Sequence, residues 1–329
     1  MRLPTVDELL ANVRVVALPM RTRFRGLDVR ETMLIASPLG RWGEFASFPE
    51  YDDAESAPWL SCAIEQAWNQ LPSIEERPVF RDVVRTNATL PAVDAADVAL
   101  VLERFGDFRT VKVKVAEPGQ VLADDIGRVR AAREFVGAAG RVRIDANGGW
   151  NVDEAEHAIR ALEQFDIEYV EQPCTSVDEL YEIRTRVHGL GISIAADESV
   201  RKAADPVAVA RAGAADILVI KVAPLGGVRR ALNIIDEAGL PVVVSSALES
   251  SIGLGASFDL AMRIEHLDYD CGIATNVLFE QDITPEPANF AIFTATPGIV
   301  DEKTAEELRV SPEREQWWRD RAVRCLALL

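Results

Sequence analysis

From about residue 83 onward, short apolar runs alternate with amphipathic stretches of helical period. The runs 83–88, 109–115, 141–145, 167–171, 193–197, 216–221, 241–246 and 271–276 read as strands. The stretches 95–104, 124–136, 153–164, 177–187, 228–237 and 257–264 read as helices between them. Strand followed by helix, repeated about eight times, predicts a parallel sheet with helical crossovers. Eight such units in about 210 residues fit a (β/α)8-type (TIM-like) barrel near its lower size limit. The doubly wound alternative would carry Gly-x-Gly-x-x-Gly after its first strand, and that motif is absent.

Before residue 85 the texture differs. Extended stretches at 13–18 and 32–37 flank residues 21–26, and Pro38-Leu39-Gly40 marks a turn. A Pro- and acid-rich loop over 48–58 precedes a helix-like run at 59–70. Residues 1–85 are therefore expected to form a small α+β domain and 86–299 the barrel. The tail, 300–329, carries Trp317-Trp318 and is expected to pack back onto the first domain, because paired tryptophans commonly fill a core. The segment Arg21-Thr22-Arg23-Phe24-Arg25-Gly26 is basic within an acidic chain, and reads equally as a solvated turn or as a lid over an anionic substrate.

The chemistry lies at the strand ends. Asp145, Glu171 and Asp197 follow one another at 26-residue intervals, then Lys221 after 24 and Ser246 after 25. One βα unit per interval brings them to the C-terminal rim, where barrel active sites lie. Three converging carboxylates repel unless a cation joins them, and an all-oxygen set without His or Cys favours Mg2+ over zinc. A lone strand-end Asp would more often cap the next helix; three in register followed by a lysine argue for a site. In Thr110-Val111-Lys112-Val113-Lys114-Val115 the alternation puts both lysines on one face, inside the barrel, and the valines outside. Lys221 would then face Lys112 and Lys114 across the mouth. Metal-held carboxylates flanked by amines suit proton abstraction next to a carboxylate.

Composition sharpens this picture. Of 35 basic residues only five are Lys, namely Lys112, Lys114, Lys202, Lys221 and Lys303. Arg cannot release its proton at accessible pH, so a Lys in an apolar strand stands out. The net charge of −18 makes nucleic acid and anionic membrane poor partners. With 48% hydrophobic residues, no spanning apolar run and no signal-peptide pattern over residues 1–13, a cytoplasmic globular protein is expected. Four scattered cysteines read as reduced, mostly buried thiols. Three histidines (His157, His188, His266) fall in or beside helices, and Gly-x-Ser-x-Gly is missing, which disfavours a serine hydrolase.

Lys112-Val113-Lys114, Asp145-Ala146-Asn147, Glu171-Gln172-Pro173, Ala196-Asp197-Glu198-Ser199, Lys221 with Gly226-Gly227, and Ser246 to Gly253 (SALESSIG) together resemble the enolase superfamily. Within it they are similar to the muconate-lactonizing subgroup, and the short capping region, the Arg21–Gly26 loop and the compact C-terminus most resemble the o-succinylbenzoate synthase family of menaquinone synthesis. The resemblance spans the whole chain and implies an N-terminal capping domain completed by the C-terminal segment. It implies syn-elimination of water from 2-succinyl-6-hydroxy-2,4-cyclohexadiene-1-carboxylate through an enediolate, with Mg2+ as cofactor and Mn2+ able to substitute. The Lys-plus-Mg2+ arrangement is a general feature of such sites. By resemblance Lys114 is the base and then the acid, while Lys221 lies opposite as a cation. Asp145, Glu171 and Asp197 bind the metal, with Asn147 and Glu198 behind them. Lys112 is a charge neighbour lowering the pKa of Lys114. Arg21, Arg23, Arg25, Ser246, Ser250 and Gly253 are the expected contacts to a small anionic carboxylate substrate. Rival functions remain at this point: an N-acylamino acid racemase or dipeptide epimerase using both lysines, a muconate cycloisomerase, or a non-catalytic metal-dependent binding protein. Dipeptide epimerases of the subgroup carry Asp-x-Asp on the last strand; Asp268-Tyr269-Asp270 lies just ahead of that strand here.

Overall fold

The computed structural model describes residues 2–285, 292–293 and 298–329. Strands β1 (Val13–Phe24), β2 (Leu27–Ala36) and β3 (Trp42–Phe45) form an antiparallel sheet in the order β1-β2-β3. β1 and β2 reach further than the alternating apolar pattern indicated. Arg21 to Phe24 end β1 and Phe24 pairs with Leu27, so the expected basic loop is in fact a hairpin closed by Arg25 and Gly26. Both turn residues have positive φ (53° and 74°), the backbone that two-residue hairpins favour because it matches the strand twist.

A helix over Asp53–Ala67 packs on this sheet, capped by Asp52, whose side chain accepts from Glu55 N–H. It begins six residues before the sequence suggests. Pro58, which reads as the end of a loop, is tolerated inside the helix. The C-terminal helix Pro312–Leu326 starts with Ser311 as its cap and Pro at its first turn. Trp318 of this helix is fully buried, meets Phe45 edge-on at 5.5 Å and donates its indole N–H to Glu31. The tail therefore closes the first sheet, as the tryptophan pair suggests.

Strand β4 (Val84–Arg85) precedes the barrel strands, which are β5 (Ala88–Leu90), β6 (Thr110–Lys114), β7 (Arg141–Asp145), β8 (Ile167–Glu171), β9 (Ser193–Ala196), β10 (Ile217–Lys221) and β11 (Val242–Ser245). β5 to β11 form one parallel sheet of seven strands in sequence order. The eighth place is taken by Cys271-Gly272. Cys271 N–H donates to Arg85 O and Cys271 O accepts from Asn87 N–H, while Gly272 pairs with Val244 and Ser246 on the other side. These bonds join the two sheet edges and close the barrel. The approach is close: a Cβ on Gly272 would lie 2.7 Å from Ser245 Oγ, which would have to turn away.

The expected strand 271–276 is thus a two-residue bridge followed by a 3-10 turn over Thr275–Leu278. The expected strand 83–88 is split at Thr86-Asn87, which bond to the closing segment. A short strand β12 (Ile292–Phe293) runs antiparallel to β4. The last barrel helix spans Ser251–Arg263, six residues longer at its start than periodicity suggests, because Gly253 and Gly255 dilute the apolar pattern.

Two apolar cores follow from strand alternation. Val111 and Val113 join the large core beneath the helices, whereas Tyr169, Ala195, Ile217, Val219 and Val243 pack together inside the barrel. The interior plug is what holds the rim residues above it in place. Among the described residues no helix is long and apolar enough to cross a membrane. All four cysteines are free and buried, and all three histidines are exposed.

Candidate active site

Parallel register places Lys114 beside Asp145 and Asp145 beside Glu171, with Lys221 beside Ser245 on the far arc. Asp145, Glu171 and Asp197 are all fully buried at this rim. Lys112 Nζ straddles Glu171 at 2.8 and 2.9 Å and reaches Asp145 Oδ2 at 3.3 Å. Lys114 Nζ meets the same Asp145 oxygen at 2.5 Å and Asn147 Oδ1 at 2.6 Å. Across the mouth, Lys221 Nζ lies 2.6 Å from Asp197 Oδ2. Three carboxylates and three ammoniums therefore interlock.

The electrostatics follow from burial and this interlocking. Burial works to raise Asp145, but the ammoniums of Lys114, Lys112 and Lys221 outweigh it and hold that carboxyl well below the usual range. Asp197 is likewise lowered, burial being overcome by Lys221 and Arg201. Glu171 goes the other way: burial and the Asp145 charge oppose its ionisation more than Lys112 assists it. For Lys112, burial is outweighed by Glu171 and Asp145, so its ammonium is held more firmly than usual. It is a structural counter-charge bound directly to two carboxylates, more than the neighbour expected from sequence.

A divalent cation suits this donor set. The three carboxylates offer hard oxygen only, and Glu171 is destabilised as an anion in the way a cation would reverse. Glu198 Oε2 is also buried without a hydrogen-bond partner. Yet no group of three or more His, Cys, Asp or Glu side chains is arranged as a metal cage among the described residues. Lysine ammoniums stand at the carboxylate oxygens, so holding a cation means displacing them.

A cavity of about 980 Å³ opens above the cluster, lined by Lys114, Lys221, Asn147, Glu198, Ser246 and Thr275 among others. The hairpin tip covers it: Arg23, Phe24 and Arg25 line one wall, and Lys114 Nζ lies 5.5 Å from the Phe24 ring centre. Of the expected substrate contacts, Arg23, Arg25 and Ser246 reach this cavity. Arg21 does not: it donates to Glu280 O and lines a separate pocket. Ser250 and Gly253 are turned away too. Ser250 N–H, Ser250 Oγ–H and Gly253 N–H all donate to Glu44, which seals the start of the Ser251–Arg263 helix. Both stand out in the sequence because a helix N-terminus needs them.

Several contributors were given no role of their own from sequence. Gln172 accepts from Asp197 N–H and Ser199 N–H and donates to Ser199 Oγ and Cys174 O, fixing the turn that carries Asp197. Arg201 donates to Asp197 Oδ1 at 3.0 Å and Glu198 Oε1 at 2.6 Å. Phe24 and Phe48 supply apolar walls. The Asp pair weighed as an amine-binding motif lies elsewhere: Asp268 is exposed, and Asp270 binds Arg109 and Thr110 at the opposite, N-terminal end of the barrel.

Family comparison agrees with this architecture. Residues 93–298 match the family described as enolase C-terminal domain-like, and residues 15–67 the enolase N-terminal domain-like family. The chain belongs to the enolase superfamily. The C-terminal match spans every carboxylate and lysine of the rim cluster, and the N-terminal match contains the hairpin over it. Among superfamily relatives, the o-succinylbenzoate synthase of Mycobacterium tuberculosis is 51% identical, over 99% of this chain and 97% of its own. That of Mycolicibacterium smegmatis is 49% identical, covering 99% and 98%. The superfamily fold is also seen in the muconate lactonizing enzyme of Pseudomonas fluorescens complexed with muconolactone. That structure has a TM-score of 0.76 at 21% identity, over 91% of this chain and 98% of the other.

Proposed function

We propose that this enzyme is an o-succinylbenzoate synthase, a metal-dependent lyase that dehydrates 2-succinyl-6-hydroxy-2,4-cyclohexadiene-1-carboxylate. The observation carrying the reading is identity of about half, end to end, with o-succinylbenzoate synthases. The geometry supports the roles. Asp145, Glu171 and Asp197 are assigned to hold Mg2+, or Mn2+ in its place. When bound, the cation stabilises the negative charge that develops on the substrate carboxylate during proton removal. Lys114 Nζ takes the proton from the carbon next to that carboxylate. The electron pair left behind forms the ring double bond as the C–O bond to the hydroxyl breaks, and Lys114 returns its proton to the departing oxygen. Water leaves and the ring becomes aromatic.

Lys221, on the opposite arc, stays cationic and faces the charge. In the cluster as it stands, three ammoniums balance three carboxylates. Arg23, Arg25, Arg201 and Lys202 line the same cavity and outnumber Glu117 and Glu198, which suits a substrate with two carboxylates even though the whole chain is strongly acidic. The hairpin and Phe48 wall the cavity on one side, where shielding from water would strengthen the electrostatics of the site. Asp270, at the far end of the barrel, offers nothing to a substrate amine, which favours dehydration over dipeptide epimerisation. The proposed compartment is the cytoplasm, in keeping with four free thiols.

One purified sample assayed for dehydration and for N-succinylamino acid racemisation tests the reading. Metal-dependent dehydration with little racemisation is the expected result. Racemisation as the dominant activity would reverse the assignment.

A further inference from the structure

The hairpin tip is wired to the rim cluster through a tyrosine. Arg25 folds inward, its guanidinium 3.8 Å from the Phe48 ring centre and its Nη2 donating to Tyr51 Oη at 2.7 Å. The same phenol oxygen accepts from Arg201 Nη1 at 3.3 Å. Arg201 spends its other nitrogens on Asp197 Oδ1 and Glu198 Oε1, while Lys221 holds the second Asp197 oxygen. Asp197 is thus fixed from both sides, and one side leads through two arginines and a phenol to the lid. Tyr51 is buried at 8% exposure, packed edge-on against Phe48. Lys202 Nζ sits 4.5 Å from the centre of its ring.

We propose that Tyr51 and Arg201 are positioning residues that couple order in the 21–26 hairpin tip to cation binding at Asp197. The inference rests on the reading of Asp197 as a metal ligand. Arg201 makes three polar contacts, and its guanidinium is planar, so the bond to Tyr51 helps fix the plane in which Nε faces Asp197. A carboxylate held in one orientation loses less freedom when it takes up a cation, and the groups behind metal ligands commonly set affinity. Linkage makes the effect reciprocal: if the seated hairpin favours the cation, the cation must favour the seated hairpin.

A purely packing role for Tyr51 predicts none of this, because Tyr51→Phe keeps the ring against Phe48. The full-length protein is titrated with Mn2+ by calorimetry, and amide exchange of peptides covering 21–27 is followed with and without Mn2+. In the unaltered enzyme Mn2+ should slow exchange in that segment. Tyr51→Phe should weaken Mn2+ binding by about 3- to 10-fold, below the full effect of a group bonded directly to a ligand. It should also remove most of the exchange response, while the melting temperature holds. Arg25→Gln should remove the same response from the other end of the chain of bonds. Unchanged Mn2+ affinity, or an unchanged exchange response, in Tyr51→Phe would overturn the coupling. Asp197→Asn separates the two readings. If it leaves Mn2+ affinity intact, the ligand assignment itself fails; if it weakens binding while Tyr51→Phe does not, the coupling alone fails.

Discussion

In the proposed syn-elimination Lys114 and Lys221 have different tasks, and replacing each by Arg exposes the difference. Lys114 must release and recover a proton. Arg at this position keeps a positive charge beside Asp145 Oδ2 and Asn147 Oδ1, the two atoms that hold Nζ at 2.5 and 2.6 Å. It cannot give up that charge at any accessible pH. The loss is therefore proton transfer alone, a factor of about 10²–10⁴ in kcat. At about 1.4 kcal/mol per decade this corresponds to about 3–5 kcal/mol in the barrier. Folding should suffer less, by under about 2 kcal/mol, because the ion pair survives and the larger guanidinium opens onto the 980 Å³ cavity.

Lys221→Arg should cost dehydration less, because Lys221 has only to remain cationic opposite Asp197. Its site is more enclosed, at 7% exposure, so part of any loss there reflects fit. Steady-state dehydration by both variants, with α-proton exchange in D2O and thermal melts, gives the comparison. Suppose both variants lose dehydration equally, and each keeps exchange with one enantiomer of an N-acylamino acid. Then the lysines act as a two-base pair and the one-base reasoning is refuted.

Other outcomes are accessible with simpler measurements. EDTA should abolish activity and Mg2+ or Mn2+ restore it; full turnover in metal-free buffer would contradict the assignment of the three carboxylates. Gly227 sits at φ 120°, where a Cβ would meet Glu65 Oε2 at 2.4 Å, and Glu65 caps Val228 N–H and Arg229 N–H. Gly227→Ala should cost about 2–4 kcal/mol in urea unfolding, from strain plus a lost cap. Combined with Glu65→Ala it should cost less than the sum; strict additivity would mean that the two do not meet. Burial and the nearby Glu44 push Glu249 up to about 7. A folded carboxyl that titrates above its unfolded value of about 4.3 binds more protons than the unfolded chain between those pH values. Its contribution is present below the unfolded pKa and is lost as pH rises toward 7, by about 3 kcal/mol. Glu249→Gln should flatten that part of the stability profile, and a profile identical to the parent's would remove Glu249 from the account. Asp270→Asn should lower stability by breaking its bonds to Arg109 and Thr110 while leaving kcat and KM unchanged, since it lies at the other end of the barrel.

Much of this molecule is legible without coordinates because two periodicities carry it. Alternation along β6 separates Lys112 and Lys114 from Val111 and Val113 whatever surrounds the strand. The regular spacing of Asp145, Glu171 and Asp197 fixes one rim once each interval is a βα unit. Core strands are set by local pattern, and their ends fall within about two residues of expectation for β6 to β11.

What the chain alone leaves open is everything made by contacts between distant segments. The barrel closes on two residues, Cys271-Gly272, too few to leave a strand pattern. Ser250 and Gly253 read as substrate contacts within a motif, but their donors are drawn to Glu44, some 200 residues away. Arg21, Arg23 and Arg25 look equivalent in sequence. The twist of the hairpin sends Arg21 to Glu280 and Arg25 to Tyr51, and leaves Arg23 at the cavity wall. Lys112 sits among valines in the chain and becomes a buried clamp on Glu171 only when β6 and β8 lie two places apart in the sheet. Local propensity and residue spacing decide which elements form and which rim they share. The partners of each charged side chain are decided by burial, which makes an unpaired charge too costly and so selects the tertiary neighbour.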